Sequence, residues 1–233
     1  MKNILARGGI EIIAVFIGIS GGLWTENQSE LNETLQREEN ALTAIKEQLV
    51  ADSTSLTGII KSIDKEQNNI KHFLMHLSND TTLSLNRLNA TIWDMMYFSY
   101  LVQDKSIYES QIQNAGKKII QTDSVSQAVS TVYDYTYKHL EKIFKMQYEV
   151  LAIKTNNSFL DAGGYMDSKR FSISKSLGFD QKKMFNKVLK NQKFISQVVI
   201  HYDTDFFIKS QYGWALNNVR LAIQKIEGYQ NTN

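Results

Sequence analysis

Apolar residues recur every seven positions over the first third of this chain. The unbroken row consists of Leu35, Leu42, Leu49, Leu56, Ile63, Ile70 and Leu77. The position four residues before each of these alternates between apolar and acidic: Leu31, Glu38, Ile45, Asp52, Ile59, Glu66 and Phe73. One complete row beside one mixed row predicts a helix with a narrow apolar stripe, over about residues 26–78.

This helix would rise roughly 75–80 Å at 1.5 Å per residue. A break is the alternative, because Ser53 to Gly58 contains weak helix formers, and a hairpin there would fold the segment in two. A two-stranded coiled coil would favour apolar residues in the second row as well. The acids in that row therefore favour packing of the stripe against the rest of the same chain over self-association.

Shorter periodic segments follow the long helix. A polar turn at residues 78–82 precedes segments that predict helices over about 85–101, 108–115, 124–152, 180–200 and 206–228. Gly116 follows the second of these as a C-terminal stop, and residues 155–176, with Gly163-Gly164, show no periodicity and predict a loop. The 233 residues contain no proline, which suits long helices with short turns.

The N-terminal segment has a different composition. The run from Ile4 to Trp24 is 21 residues long and has no charge between Ile12 and Leu23. As a helix it would rise roughly 30 Å, close to the thickness of a hydrocarbon core, which predicts a transmembrane anchor. A cleaved signal peptide is an alternative, but Arg7 and Glu11 lie unusually deep for one. A buried helix of a soluble domain is another, because the uncharged part is only 12 residues long.

The charges beside this run predict its orientation. Lys2 and Arg7 precede it, whereas five glutamates and one arginine lie between residues 26 and 39. The positive-inside tendency places the N-terminus in the cytoplasm and the rest of the chain in the periplasm, attached to the inner membrane. We therefore expect an all-α protein whose transmembrane helix (1–25) continues into a long helix (26–78), followed by an antiparallel helical bundle domain (79–233).

Small residues and one acid share a face of the predicted anchor. Ala14, Gly18 and Gly22 recur every four residues, and Glu11 joins them. Such a face allows close approach of a second membrane helix, with Glu11 as a polar contact and Arg7 as its possible charge partner. For Glu11, a charge at headgroup level and part of a proton path are the alternatives.

Other candidate chemistry is weak. His72 and His76 are four apart, which suits two metal ligands, but no third ligand accompanies them, so packing in a helix seam is the simpler interpretation. Five lysines alternate with apolar residues in a basic helix that either contacts an anionic partner or is simply solvated: Lys182, Lys183, Lys187, Lys190 and Lys193. No nucleophile motif, phosphate loop, thiolate or strong net charge is present, which argues against an enzyme, a cofactor, a metal site and nucleic-acid binding.

Two stretches resemble a known family. Ile10 to Ile19 reads I-E-I-I-A-V-F-I-G-I, and Tyr108 to Gly116 reads Y-E-S-Q-I-Q-N-A-G before Ile119-Ile120. These resemble the G-E-I-I…I-G-I membrane helix and the Y-E-x-L-x-x-x-G motif of an uncharacterised family of single-pass inner-membrane proteins of Bacteroidota. Ile10 departs from the glycine of that pattern. The resemblance implies the topology described above and brings no activity.

These observations predict a non-enzymatic accessory or scaffolding subunit of an inner-membrane complex. Its partners would be other membrane proteins, reached through the transmembrane helix, and the lipid bilayer, with a homo-oligomer also possible. The alternative is a periplasmic helical-bundle sensor or ligand-binding protein that acts through a membrane partner.

Overall fold

The computed structural model describes residues 2–110, 119–165 and 180–232, with side chains described from Val15 onward. The described residues are helical with no strand, so the all-α prediction is confirmed. The helices are α1 (Lys2–Leu77), α2 (Leu85–Met96), α3 (Ser106–Tyr108), α4 (Asp123–Ser130), α5 (Tyr137–Met146), α6 (Lys154–Asp161), α7 (Gln181–Val188) and α8 (Gln192–Gln230).

Helix α1 is continuous through its polar middle, so the hairpin alternative is wrong. Leu49 and Leu56 are fully buried on either side of the weak helix formers, and their burial holds both halves of the helix in one line. The hydroxyl groups of Thr54 and Thr57 donate to carbonyl oxygens four residues earlier, at 3.0 and 2.8 Å. These bonds keep the two hydroxyl groups from forming hydrogen bonds to the backbone that would favour a non-helical conformation.

Helices α4, α5 and α6 are joined end to end by two π-helical stretches, Thr131–Thr136 and Gln147–Ile153. The result is one rod from residue 123 to 161, longer than the predicted helix at 124–152. The prediction of a loop from residue 155 was therefore wrong for α6. Thr155 and Phe159 are fully buried against other helices, and that burial stabilises a segment without a regular apolar pattern.

The last two helices divide at a different place from the one predicted. Helix α8 runs without interruption through residues 200–206, and the actual break lies at residues 189–191, where the Asn191 side chain accepts the Phe194 N–H at 3.0 Å. The predicted gap contains the polar residues His201 and Asp205. In the structure they are buried and form part of the helix.

Helix α2 ends at Met96, earlier than predicted, and Leu101 is buried in a non-helical segment. Only the beginning of the predicted helix at 108–115 falls within the described residues, and Gly116 lies outside them.

Three long helical segments lie side by side. Helix α1 runs antiparallel to α8. The Phe73 ring contacts the Phe194 ring edge to face near one end of the pair, and Lys46 donates to Gln230 at 3.0 Å near the other. The α4–α6 rod runs in the same direction as α1. We call this packed part of the chain, from Glu38 onward, the body.

The body contains two separate apolar clusters. The larger one includes Leu42 to Ile63 of α1, and the smaller one includes Ile70 and Phe73. Between them lies a layer of buried polar side chains from α1, α6 and α8, which divides the core in two.

Candidate functional site

The first part of α1 extends beyond the body. Every side chain from Val15 to Glu33 is exposed. Thr34 is partly covered, and Glu38 is the first buried residue. The exposed residues include six large apolar side chains: Val15, Phe16, Ile17, Ile19, Leu23 and Trp24. We call residues 15–33 the α1 extension.

The predicted contact residues of this segment are described only in part. A Cβ atom added to Gly18 or Gly22 would meet nothing within 4 Å, so this small-residue face is open. The side chains of Arg7, Glu11 and Ala14 lie outside the described residues. The contact of a second helix at this face remains a prediction.

No helix within the described part of the chain is long and apolar enough to cross a membrane. From Val15 to Trp24 the helix rises about 15 Å, about half of a hydrocarbon core. The rest of the predicted anchor, from Ile4 to Ala14, has no described side chains.

The histidines of α1 lie apart from any cluster. His72 is exposed, and His76 Nδ1 lies 3.1 Å from the Thr81 carbonyl oxygen and 3.3 Å from the Leu83 nitrogen. His76 therefore holds the turn between α1 and α2.

The lysines of α7 and the following turn are exposed, above buried Met184, Phe185 and Val188. Lys193 pairs with Asp161 at 2.7 Å. The lysines thus form an exposed basic face over an apolar stripe, and contact of this face with an anionic membrane or an acidic partner stays a prediction.

The acids of the mixed row on α1 are buried. Glu38, Asp52 and Glu66 are spaced fourteen residues apart and are 1%, 3% and 7% exposed. Glu38 accepts the Gln121 N–H at 2.9 Å, and Asp52 accepts the Tyr137 hydroxyl. Each acid thus meets a different part of the chain, and these contacts explain why acids alternate with apolar residues in that row.

Glu66 belongs to a denser cluster. His201 Nε2 lies 3.0 Å from Glu66 Oε1 and 3.7 Å from Asp205 Oδ1. His201 Nδ1 lies 3.1 Å from the Thr155 hydroxyl. All four residues are buried, and within the described residues neither carboxyl oxygen of Asp205 has a hydrogen-bond partner.

Burial changes the protonation of this cluster. Loss of water, together with the nearby charge of Asp94, raises the pKa of Glu66 to about 8. Burial also raises the pKa of Asp205 to about 8, with Glu66 adding to the effect and His201 opposing it. Burial lowers the pKa of the His201 imidazole, against the pull of Asp205. At neutral pH the bare cluster therefore favours protonated acids beside a neutral imidazole.

Sequence reasoning missed this cluster. The signal present was the pair His201 and Asp205, four residues apart, which share a face on a continuous helix. Both residues fell in the predicted gap between the helices 180–200 and 206–228, so their helical spacing was not recognised. Glu66 and Thr155 come from other helices, and their proximity depends on tertiary packing.

A surface cleft of about 440 Å³ lies beside α5. Its lining includes Tyr100, Leu101, Phe144 and Tyr212, with the Lys105–Glu141 ion pair (2.7 Å) at its polar part. Tyr100 and Phe144 have ring centroids 4.5 Å apart. The cleft is aromatic enough to hold a small apolar group.

Comparison with protein families, curated proteins and solved structures gave no match of any of the three kinds. The resemblance to the Bacteroidota family remains a prediction from the sequence.

Proposed function

We propose that this protein is a non-enzymatic accessory or scaffolding subunit of an inner-membrane protein complex. In this proposal the N-terminal part of α1 is inserted with its N-terminus in the cytoplasm, and the body lies in the periplasm. The observation that carries the proposal is the uncharged first part of the α1 extension, Val15 to Trp24, whose side chains are exposed and are covered by none of the described residues.

A row of large apolar side chains on a helix needs an apolar environment to cover it. Phe16 and Trp24 are 71% and 68% exposed, and a lone helix with such side chains in water would be an unfavourable surface. Lipid and a second membrane helix would together cover it. The body does not need the extension for its own core, since burial begins at Glu38.

The expected occupant of the small-residue face is an apolar helix of another membrane protein. Gly18 and Gly22 leave space for its backbone, and Glu11 and Ala14 extend the same face by sequence. Glu26, Glu30 and Glu33 follow the apolar run within the α1 extension and would lie near the membrane surface, where they disfavour deeper insertion.

The test is purification of the tagged full-length chain in mild detergent, followed by mass measurement and identification of bound proteins. We expect a membrane partner at fixed stoichiometry. Gly18→Leu places a bulky side chain on the open face and should release that partner. Gly58→Leu is the matched control, because Gly58 lies on the same helix with nothing within 4 Å of an added Cβ but is part of the body.

A monomer of 26.7 kDa without partners would overturn the proposal. If the protein instead forms a homo-oligomer that Gly18→Leu disrupts, the partner at this face is a second copy of this chain. Release by both glycine variants would show that the contact does not involve the α1 extension.

The aromatic cleft favours a second candidate, a periplasmic ligand-binding or sensing protein that acts through a membrane partner. Tyr100→Ala would remove one wall of the cleft. Both proteins would be screened against a small-molecule library by thermal unfolding. A compound that raises the unfolding temperature of the wild type but not of this variant would favour sensing, and the absence of any such compound would count against it.

A further inference from the structure

We propose that Glu66, His201 and Asp205 form a binding site for one first-row divalent metal ion, such as Mn²⁺, Fe²⁺ or Zn²⁺. The site would join α1 to α8 inside the body. It is independent of the proposed membrane role, which rests on the α1 extension.

The geometry of the three ligand atoms suits such an ion. One atom from each side chain lies within 4.8 Å of the other two, with separations of 3.0 Å and 3.7 Å from the imidazole nitrogen. Bonds of about 2.0–2.2 Å from one ion to nitrogen and oxygen place neighbouring ligand atoms roughly 3–3.5 Å apart. The side chains therefore need only small shifts to enclose an ion.

The carboxyl group of Asp205 is the second, independent observation. Asp205 is 0% exposed, and neither of its oxygens has a hydrogen-bond partner among the described residues. Buried polar groups are nearly always satisfied, and binding of a metal ion would satisfy this one while displacing the carboxyl protons. Two carboxylates and a neutral imidazole would balance the charge of a divalent ion.

The Thr155 hydroxyl completes the arrangement. When it accepts the Nδ1–H of His201, the lone pair of Nε2 faces Glu66 and Asp205. A partner on the second ring nitrogen orients metal-bound histidines in this way. Thr155 is therefore a positioning residue that does not touch the ion.

The location of the cluster agrees with a structural role. It lies in the polar layer between the two apolar clusters, with Ile63 and Ile70 on either side of Glu66 along α1. A metal ion here would convert a costly polar layer into a cross-link between the first and last helices. One imidazole with two carboxylates suits borderline to hard ions better than Cu⁺, which favours sulfur ligands.

The experiment uses the full chain in mild detergent, unfolded with chelator and refolded without metal, because the buried site requires loading during folding. Refolding is then repeated with Mn²⁺, Fe²⁺ under anaerobic conditions, or Zn²⁺. Bound metal is measured after desalting by mass spectrometry, and the unfolding temperature is recorded. We expect one ion per chain and an increase of about 5–10 °C for a concentration 100-fold above Kd.

Glu66→Gln and Asp205→Asn keep the shape of the side chains and should abolish both retention and the temperature increase. Thr155→Val should weaken binding by about 10- to 100-fold without abolishing it. Asp52→Asn is the matched control, a buried acid on the same helix two heptads earlier, and should retain the ion.

A wild-type chain that refolds to its native helix content but retains none of the three ions overturns the proposal. Equal retention by Asp205→Asn and the wild type also overturns it. If one variant fails to refold, the other provides the same comparison, with circular dichroism as the check on folding.

Discussion

At the residue scale, the buried acids Asp52 of α1 and Asp205 of α8 differ in what satisfies them. The Asp52 carboxylate accepts from the Tyr137 hydroxyl and, at 3.0 Å, from the Gln48 amide. Asp205 has no such donors. The first acid forms part of a closed hydrogen-bond network, whereas the second is an open binding group.

Asp52→Asn should change how stability depends on pH. Burial raises the pKa of Asp52 above its ordinary value of 3.8, although the hydrogen bonds from Tyr137 and Gln48 oppose this. The proton is therefore bound more tightly in the folded chain than in the unfolded chain. Its contribution to the free energy of unfolding is complete below pH 3.8 and is lost as pH rises through the folded pKa. Asparagine has no proton to lose, so the stability of the variant relative to the wild type should increase as pH rises.

The measurement is the difference in unfolding free energy between variant and wild type, by denaturant titration from pH 4 to pH 8. A difference that stays constant over this range would contradict the raised pKa. Asp52→Leu is the control for the hydrogen bond. It leaves the Tyr137 hydroxyl unsatisfied and should lower stability by about 1–3 kcal/mol at every pH.

Phe194→Ala should be among the most destabilising changes in the chain. The ring is fully buried, with centroids 6.2 Å from Phe73 and 5.6 Å from Phe159, so it joins α1, α6 and α8. Truncation should cost about 3–5 kcal/mol, measured by denaturant unfolding. Phe207→Ala on the same helix is the control: Phe207 is 49% exposed and should cost less than about 1 kcal/mol. Similar losses for both variants would show that Phe194 is not a core residue.

At the element scale, the two π-helical stretches place functional side chains. The first ends immediately before Tyr137, which reaches Asp52, and the second ends two residues before Thr155, which reaches His201. A π stretch shifts the register of the helix faces beyond it. Neither stretch has a periodicity signal in the sequence, because each depends on what the rod packs against.

Replacement by alanine should change the stability of the chain in opposite directions at two glycines. Gly58 lies in the middle of α1 with space around an added Cβ, so Gly58→Ala should stabilise the chain by about 0.5–1 kcal/mol. Gly163 follows α6 with φ +86°, and an added Cβ would lie 2.8 Å from Lys187 Nζ. Gly163→Ala should therefore destabilise the chain by about 1 kcal/mol or more. Changes of the same sign in thermal unfolding would contradict this assignment.

At the scale of the whole molecule, the α1 extension and the body should be energetically separate. Deletion of residues 1–33 removes no described side chain that the body buries. We expect the unfolding free energy of the body to change by less than about 1 kcal/mol. Denaturant titration of both chains gives the comparison, and a shortened chain that fails to fold would show that the extension supports the body.

Much of the secondary structure could be predicted from the sequence. The seven-residue row predicted α1, and its buried members confirm that the stripe packs within the chain. The helix predicted from about residue 85, after the polar turn at 78–82, begins at Leu85 in the structure. These features are local, because each depends on residues within one or two turns of helix.

Helix boundaries at polar positions could not be predicted. Residues 200–206 and 155–161 contain polar side chains that in isolation favour turns, and the structure buries them in helices. Tertiary packing overrides local propensity wherever a polar side chain finds its partner on another helix.

By itself, the sequence determined that the chain is helical, that α1 is long, and that its first part carries an apolar run with a small-residue face. These properties follow from periodicity and composition, which are set by the geometry of a single helix. The tertiary structure alone decided that the acids of α1 are buried and that Glu66 meets His201 and Asp205, which are 135 and 139 residues away along the chain. Contacts between distant helices depend on how their faces pack, and no short-range pattern encodes that choice.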